Sequence, residues 1–367
     1  MDKARWTCDR RFPCKRRLVQ RAFGLASSPM KRLTILALLI GAGLAAALIL
    51  SSGVREVGGA VASVGWGIVP VVLVRVLTVE LVGAAWALLF PADLRPRLRV
   101  CVLVRYVREG INTLLPLTAV GGEFIGARLL TFYRVEGALV AASVIVDMLV
   151  QAGTQFVFTA IGLVALIWLG GDETIVRISA IGLALAAPAL AGFYVVQSRG
   201  GHRLVQSILT RFAGDREWLA IGGAVDALYD RLQSFYGHRR ELLNGAALHF
   251  AAWFVGAVEI WVPLHFMGYP VGFAEALVIE SLAQAIRGAA FVVPGAIGVQ
   301  EGGMIALGAV FGIPAEAALA LSLIKRAADL AVGVPGLIAW QALEGKRLLR
   351  RREGAKPLVE KDHSAPS

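Results

Sequence analysis

Two glutamates stand beside sequence that breaks helical backbone. In LLPLTAVGGEFIGARLL (residues 114–130), Pro116 lies seven residues before Glu123, Gly121 and Gly122 come immediately ahead of the acid, and Arg128 follows it. In VVPGAIGVQEGGMIALG (292–308), Pro294 lies seven residues before Glu301, with Gly295 and Gly298 between them. Proline removes an amide donor, and glycine permits turns closed to other residues. Where the surroundings are as apolar as they are here, freed backbone groups must be met by protein or by a wet cavity. The helix ends then offer amides or carbonyls to a polar ligand, and a carboxylate at a helix N-terminus is favoured. Arg128 is five residues beyond Glu123, not the ideal same-face spacing, so it is expected to face another helix or a lipid phosphate.

Further charges fall inside apolar runs: Lys325, Arg326 and Asp329 late in the chain, and Arg75, Glu80, Asp147 and Glu259 earlier. A charge at mid-bilayer costs about 3 kcal/mol or more unless paired or wet, and so marks a functional pathway by default. The plainer reading is that these charges pair with one another and lock helices together. Both readings stay open, but symmetric placement of Glu123 and Glu301 beside broken backbone favours a substrate-binding role. Pro116, Gly121, Gly122, Glu123, Arg128, Pro294, Gly295, Gly298, Glu301, Lys325 and Arg326 are therefore the candidate binding residues. Arg75, Glu80, Asp147, Glu259 and Asp329 are auxiliary.

No catalytic constellation accompanies them. The sequence holds no phosphate-binding Walker loop, no GxSxG elbow and no HExxH. Its three cysteines, Cys8, Cys14 and Cys101, form neither a disulfide framework nor a CxxC pair. His249 and His265 read as core or interface histidines. No catalytic residue, metal ligand or cofactor is expected.

The elements that must position these residues are helices in a bilayer. Of the 367 residues, 57% are hydrophobic and 17% charged, and the mean hydropathy is +0.68. A soluble domain rarely sustains that, several runs approach the ~20 residues that span a bilayer, and the alternation of a membrane barrel is missing. The expected fold is all-α: a polytopic membrane protein with about six full spans and two re-entrant broken-helix hairpins. The spans are read at 33–50, 66–90, 137–169, 175–196, 242–266 and 315–343, and the hairpins at 98–130 and 273–307. The run 33–50 is long for the core of a cleaved signal and many apolar runs follow it, so it is read as a span.

The net charge of +11 collects in the N-terminus, in 95–108, in 199–240 and at KRLLRRR near the end. Basic residues between apolar runs mark the cytoplasmic side, so both termini and these segments are expected there, meeting anionic head groups. Val225, Leu228, Leu232 and Phe235 recur at helical spacing, which reads equally as a helix on the membrane surface or as a linker helix with one packed face. No nucleic-acid recognition module is visible, and no nucleic-acid partner is expected.

The two proline–glutamate segments also sit in a larger register. Val79-Glu80 precedes Pro116, and Val258-Glu259 precedes Pro294, each by about ten helical turns. The first hairpin is entered from the cytoplasm and the second from outside. The halves therefore read as an inverted repeat, 33–170 and 171–345, flanked by a basic segment 1–32 and a polar tail 346–367. Inverted repeats with broken helices are an architecture of secondary transporters.

PGAIGVQEGG, SLIKRAADL and LLPLTAVGGEFIGARLL resemble the flippase-like transmembrane family found in lysylphosphatidylglycerol synthases, and the last resembles its hopanoid-biosynthesis-associated branch. The resemblance covers roughly 33–345. It implies a lipid-handling domain of the bacterial inner membrane, with the family's glutamate and basic pair at Glu301 and Lys325-Arg326. At the corresponding place in the first half stands Asp147-Met148, a departure from that pattern. About twenty polar residues follow the last span, so the synthases' soluble catalytic activity is not expected. The leading expectation is a non-enzymatic lipid translocator for a polar lipid or a hopanoid-type triterpenoid, with membrane lipids, and lipid- or hopanoid-biosynthesis enzymes, as partners. A membrane scaffold for such enzymes and a proton or small-solute carrier are the alternatives.

Overall fold

A computed structural model describes residues 50, 54–115, 121–212, 215–290, 293 and 296–353. The expected first span, Pro116, Pro294 and Gly295 lie outside these residues. The described chain is helical, and no strand occurs in it. Helix α1 (Val54–Val64) runs through a 3₁₀ turn (Gly65–Gly67) into α2 (Ile68–Leu89). Phe90 then turns extended, as the residue before a proline does, and Pro91 ends the helix. α3 (Leu98–Leu114) stops at extended Leu115, again ahead of a proline, and α4 (Gly121–Thr131) follows.

α5 (Gly137–Trp168) is a single helix of 32 residues. At 1.5 Å per residue it is about 48 Å long, well beyond the ~30 Å hydrocarbon core, so it must tilt or protrude. α6 (Glu173–Gln197) is capped by Asp172, whose Oδ1 accepts from the amides of Thr174 and Ile175 at 2.9 and 3.1 Å. The basic stretch forms α7 (Arg199–Phe212) and α8 (Asp215–Gly237). α9 (Arg239–Phe266), α10 (Phe273–Ala289), α11 (Val299–Val310) and α12 (Ala315–Glu353) complete the order.

Four stretches are long and apolar enough to cross a membrane: Val57–Leu89, Gly137–Trp168, Glu173–Gln197 and Arg239–Phe266. They coincide with four of the six spans read from the sequence. The sixth, 315–343, lies within α12, whose apolar run is interrupted by Lys325, Arg326 and Asp329. Over the two stretches read as hairpins lie pairs of helices, α3 with α4 and α10 with α11.

Packing follows a matched scheme. α2 and α9 form the most extensive helix pair. Around it, α3 packs on α12 and α10 packs on α5; α1 packs on α12 and α8 on α5; α2 touches α12 and α9 touches α5. Every such contact of the first half has a counterpart in the second. α6 packs mainly on α5 and α7, Tyr229 and Tyr236 of α8 donate to Val196 and Gln197 at its end, and Gln197 is its one buried residue.

Two apolar cores result. One gathers Trp86, Phe90, Val104, Ile111, Leu129 and residues 139–146 of α5 with Phe235 of α8. The other gathers Ile260, Leu264, Leu282, Met304 and Leu321 with Leu166 of α5. Along α5, core residues at 139–146 give way to Asp147, Gln151 and Gln155 before apolar packing resumes at Phe158. Along α12, core residues at 317–321 give way to Ser322, Lys325, Arg326 and Asp329, and Leu337 then joins the other core. A polar layer therefore lies between the cores at mid-helix.

Candidate functional site

The polar layer contains a cavity of about 380 Å³. Three arginines line it: Arg75 from α2, Arg105 from α3 and Arg287 from α10. Glu109 and Glu123 supply the carboxylates, and Asn112, Thr113, Gln151, Gln155 and Gln284 supply neutral polar groups. His249 and Trp253 of α9 close another wall. A smaller crevice bordered by Glu280, Gln300 and Lys325 adjoins it, since Gln284 and Arg287 belong to both.

Each charge is positioned by a helix whose other residues enter the cores. On α3, Cys101, Val104, Arg105, Arg108, Ile111 and Asn112 recur at helical spacing, so the arginines share a face with apolar anchors. Arg108 is 1% exposed. It pairs with Glu123 and, at 2.9 Å, with Asp147, and its guanidinium stands 4.8 Å from the Trp86 ring centroid. The far oxygen of Asp147 meets His249 Nε2 at 2.9 Å. Asn112 joins the two short helices: its Oδ1 accepts from the Gly122 amide at 2.8 Å and its Nδ2 donates to Glu123 at 3.3 Å. Glu123 is the third residue of α4, where its charge meets the positive end of the helix.

Arg75 links the halves. Its Nη2 lies 2.5 Å from Glu109 and 2.8 Å from Asp329 on α12. Arg105 shares Glu109 at 3.4 Å, and Arg287 approaches Asp329 at 3.7 Å.

A related arrangement of altered polarity occurs among α9, α10, α11 and α12. Glu301 is the third residue of α11, as Glu123 is of α4. One Glu301 oxygen accepts from the Gly298 amide at 2.6 Å, closing the start of the helix, and the other accepts from Arg326 at 2.7 Å. Gly298 has φ +81°, a conformation side chains rarely take, which explains glycine at that position. Lys325 sits between two carboxylates, 3.2 Å from Glu259 and 2.8 Å from Glu280.

The separation in sequence between Glu123 and Glu301 equals that between Asp147 and Lys325, and that between Glu109 and Arg287. At the first pair the charge is kept; at the other two it is reversed. The departure at Asp147 thereby gains a physical account. In the first half the base is on the short helix (Arg108) and the acid on the long one (Asp147). In the second half the acid is on the short helix (Glu280) and the base on the long one (Lys325).

Of the residues singled out in the sequence, Arg75 and Glu123 line the larger cavity. Asp329 holds Arg75 and Arg287 from behind, and Asp147 holds His249 and Arg108. Glu259, Glu301, Lys325 and Arg326 form the adjoining cluster, and Glu301 is not among the walls of the larger cavity. Glu80 is exposed and joins no cluster, unlike buried Glu259, its partner in the sequence register. Arg128 lies outside the cavity, over half exposed, and bonds Glu344 at 3.1 Å.

Arg105, Arg108, Glu109, Glu280 and Arg287 complete the site without having been singled out, while His249, read as a core or interface histidine, is buried at 1% exposure and also lines the cavity. The arginines of 95–108 read as a cytoplasmic flank, yet Arg105 and Arg108 are buried. Their helical spacing with Cys101, Val104 and Ile111 was the available signal. Among the described residues no three His, Cys, Asp or Glu side chains stand together as a metal site.

A family model described as "Lysylphosphatidylglycerol synthase TM region" matches residues 34–336. No curated protein and no solved structure matches.

Proposed function

Since the chain belongs to the family of lysylphosphatidylglycerol synthase transmembrane regions, we propose that it is a lipid translocator, carrying a polar lipid or a hopanoid-type triterpenoid across or within the bacterial inner membrane. The observation that carries this reading is the polar cavity of about 380 Å³ between two apolar cores. Ligand pockets run from ~300 to 1,000 Å³. The cavity is therefore suited to a head group, while the lipid's apolar body stays among the exposed apolar helix faces. Loss of hydration is the main barrier to moving a head group through hydrocarbon. Amides, hydroxyls and paired charges replace that hydration in part, and their mutual pairing keeps the site from holding a head group too tightly.

The matched packing supports an inverted repeat with α3–α4 and α10–α11 as re-entrant hairpins. On that reading α2 and α9 lie along the pseudo-twofold, and each hairpin docks on the long helix of the other half. The positive stretches support a cytoplasmic position for both termini and 199–240.

Transfer of a head-group-labelled lipid between leaflets of reconstituted vesicles tests the proposal. We expect protein-dependent transfer, lowered about tenfold or more by Glu123→Gln, which keeps size and removes charge. Transfer at the wild-type rate in the Glu123→Gln, Glu301→Gln double variant would remove the glutamates from the mechanism. Absence of protein-dependent transfer for every lipid tried would leave the scaffold reading, with 199–240 as the docking segment.

A further inference from the structure

Pairing in the polar layer leaves one negative charge over. Arg75, Arg105 and Arg287 share Glu109 and Asp329. Arg108 meets Glu123 and Asp147, Lys325 meets Glu259 and Glu280, and Arg326 meets Glu301. Among the described residues, six fixed cations thus face seven carboxylates in these groups. An unbalanced charge at membrane depth is costly, and a single proton removes it.

His249 is placed to take that proton. It is 1% exposed, and its Nε2 stands 2.9 Å from Oδ1 of Asp147, whose Oδ2 accepts from Arg108 at 2.9 Å. A carboxylate only accepts, so Nε2 carries the hydrogen and Nδ1 keeps its lone pair. Nδ1 has no hydrogen-bond partner among the described residues, and the residue forms part of the cavity wall. Imidazole is the side chain that gains and loses a proton close to neutral pH. The cavity, polar and about 380 Å³, has room for the water that delivers one. Glu259 and Glu280, the other pair of carboxylates sharing one base, are not among its walls. Across the cavity His249 faces Arg75 of α2, Arg105 and Glu109 of α3, Glu123 of α4 and Arg287 of α10. α12, also packed on α9, brings Lys325 and Asp329 to the layer, and α1 and α8 bring no charge to the cavity walls.

We propose that His249 is a proton-binding site of the cavity, with Asp147 as its counter-ion, and that the proton taken there couples head-group crossing to a transmembrane proton gradient. The coupling rests on the lipid-translocator reading; the proton site does not. The proton passes from hydronium in cavity water to the Nδ1 lone pair and returns to water on the other side, so nothing else is consumed. Once cationic, His249 competes with Arg108 for Asp147, and Arg108 turns toward Glu123. The chain His249–Asp147–Arg108–Glu123 joins α9, α5, α3 and α4. Protonation on one long helix is thereby felt at the first turn of a short one.

Histidine labelled isotopically at its ring nitrogens reports protonation directly by magnetic resonance. In the full-length protein in detergent, the signal missing from His249→Gln belongs to His249. If that variant does not fold, replacing His202, His238, His265 and His363 leaves His249 as the one labelled ring. We expect the wild-type signal to pass from a neutral to a cationic ring between about pH 8 and pH 5. One neutral tautomer across that range overturns the proton site and leaves a histidine that only bonds Asp147. Vesicles test the coupling, with head-group-labelled phosphatidylglycerol as the probe. A gradient of about one pH unit should skew its leaflet ratio severalfold, up to about tenfold at one proton per lipid, and a protonophore should abolish the skew. His249→Gln keeps a donor for Asp147 but takes no proton, so lipid should equalise between leaflets and ignore the gradient. An even distribution in the wild type under the gradient overturns the coupling. Failure of the translocator reading would look different: no lipid changes leaflet with or without the gradient, while His249 still titrates.

Discussion

At the scale of single residues, Arg108 is where pairing and burial meet most sharply. It is almost fully enclosed and holds two carboxylates, Glu123 and Asp147, at once. Breaking a buried pair by removing one partner costs about 3–5 kcal/mol, because the other charge stays behind unmet. Arg108→Gln is therefore expected to lose about that much, read as a lowered unfolding midpoint in detergent. Glu80→Gln, at an exposed position within an apolar span, should not lower the midpoint, since it removes an uncompensated charge there. Equal midpoints for the two variants would contradict the pairing. Glu123 and Glu301 were legible in the sequence, since a carboxylate beside proline and glycine in an apolar run has few bland explanations. Arg105 and Arg108 were not, because a base near an apolar run has a ready one, the cytoplasmic flank. Which bases turn inward is decided by the face of α3 that meets α2 and α12, and no local pattern states which helices those will be.

At the scale of elements, the crossing of α3 and α12 depends on glycine. A Cβ on Gly110 would strike the carbonyl oxygen of Gly333, and one on Gly336 would strike the carbonyl of Tyr106. Small residues that let backbones touch are a recurrent way to pack helices in lipid. Gly110→Ala should destabilise by about 1–3 kcal/mol through forced separation of the two helices. Gly58→Ala, in α1 with open space around it, should stabilise by about 0.4–1 kcal/mol by stiffening the unfolded chain. The same chemical change thus carries opposite signs at two helical glycines, and thermal unfolding of both variants checks it; matching signs would refute the close crossing. Helix positions themselves were readable from apolar length and from proline and glycine stops. The partners were not, since α3 meets a helix near the other end of the chain.

At the scale of the whole molecule, orientation in the bilayer is the open quantity that charge most directly predicts. Asp172 caps α6 at the end where acidic residues gather, and Asp215 opens α8 in the basic stretch. In a variant lacking the native cysteines, Asp172→Cys should react with an impermeant maleimide in intact cells. Asp215→Cys should react only after the cells are opened. The reverse pattern would invert the assignment and undo the cytoplasmic placement of 199–240. The all-α membrane fold was legible because length and hydropathy alone require it. The exchange of long helices between halves was not, because it is a property of two segments that share no local signal.

That exchange gives the protein a history as well as a shape. Synthesis is directional, so α10 emerges to find its seat on α5 already made, whereas α3 must wait for α12. Through most of translation Arg75 lacks Asp329, and the glycine face of α3 has no helix against it. The nascent first half therefore waits with Arg75 short of one of its two carboxylates and the glycine face of α3 unpacked. Arrival of α12 closes both at once. Two sets of helices with matched packing in the finished fold are thus unequal in their making, and ribosomal stalling or truncation ahead of α12 strands the earlier one rather than the later.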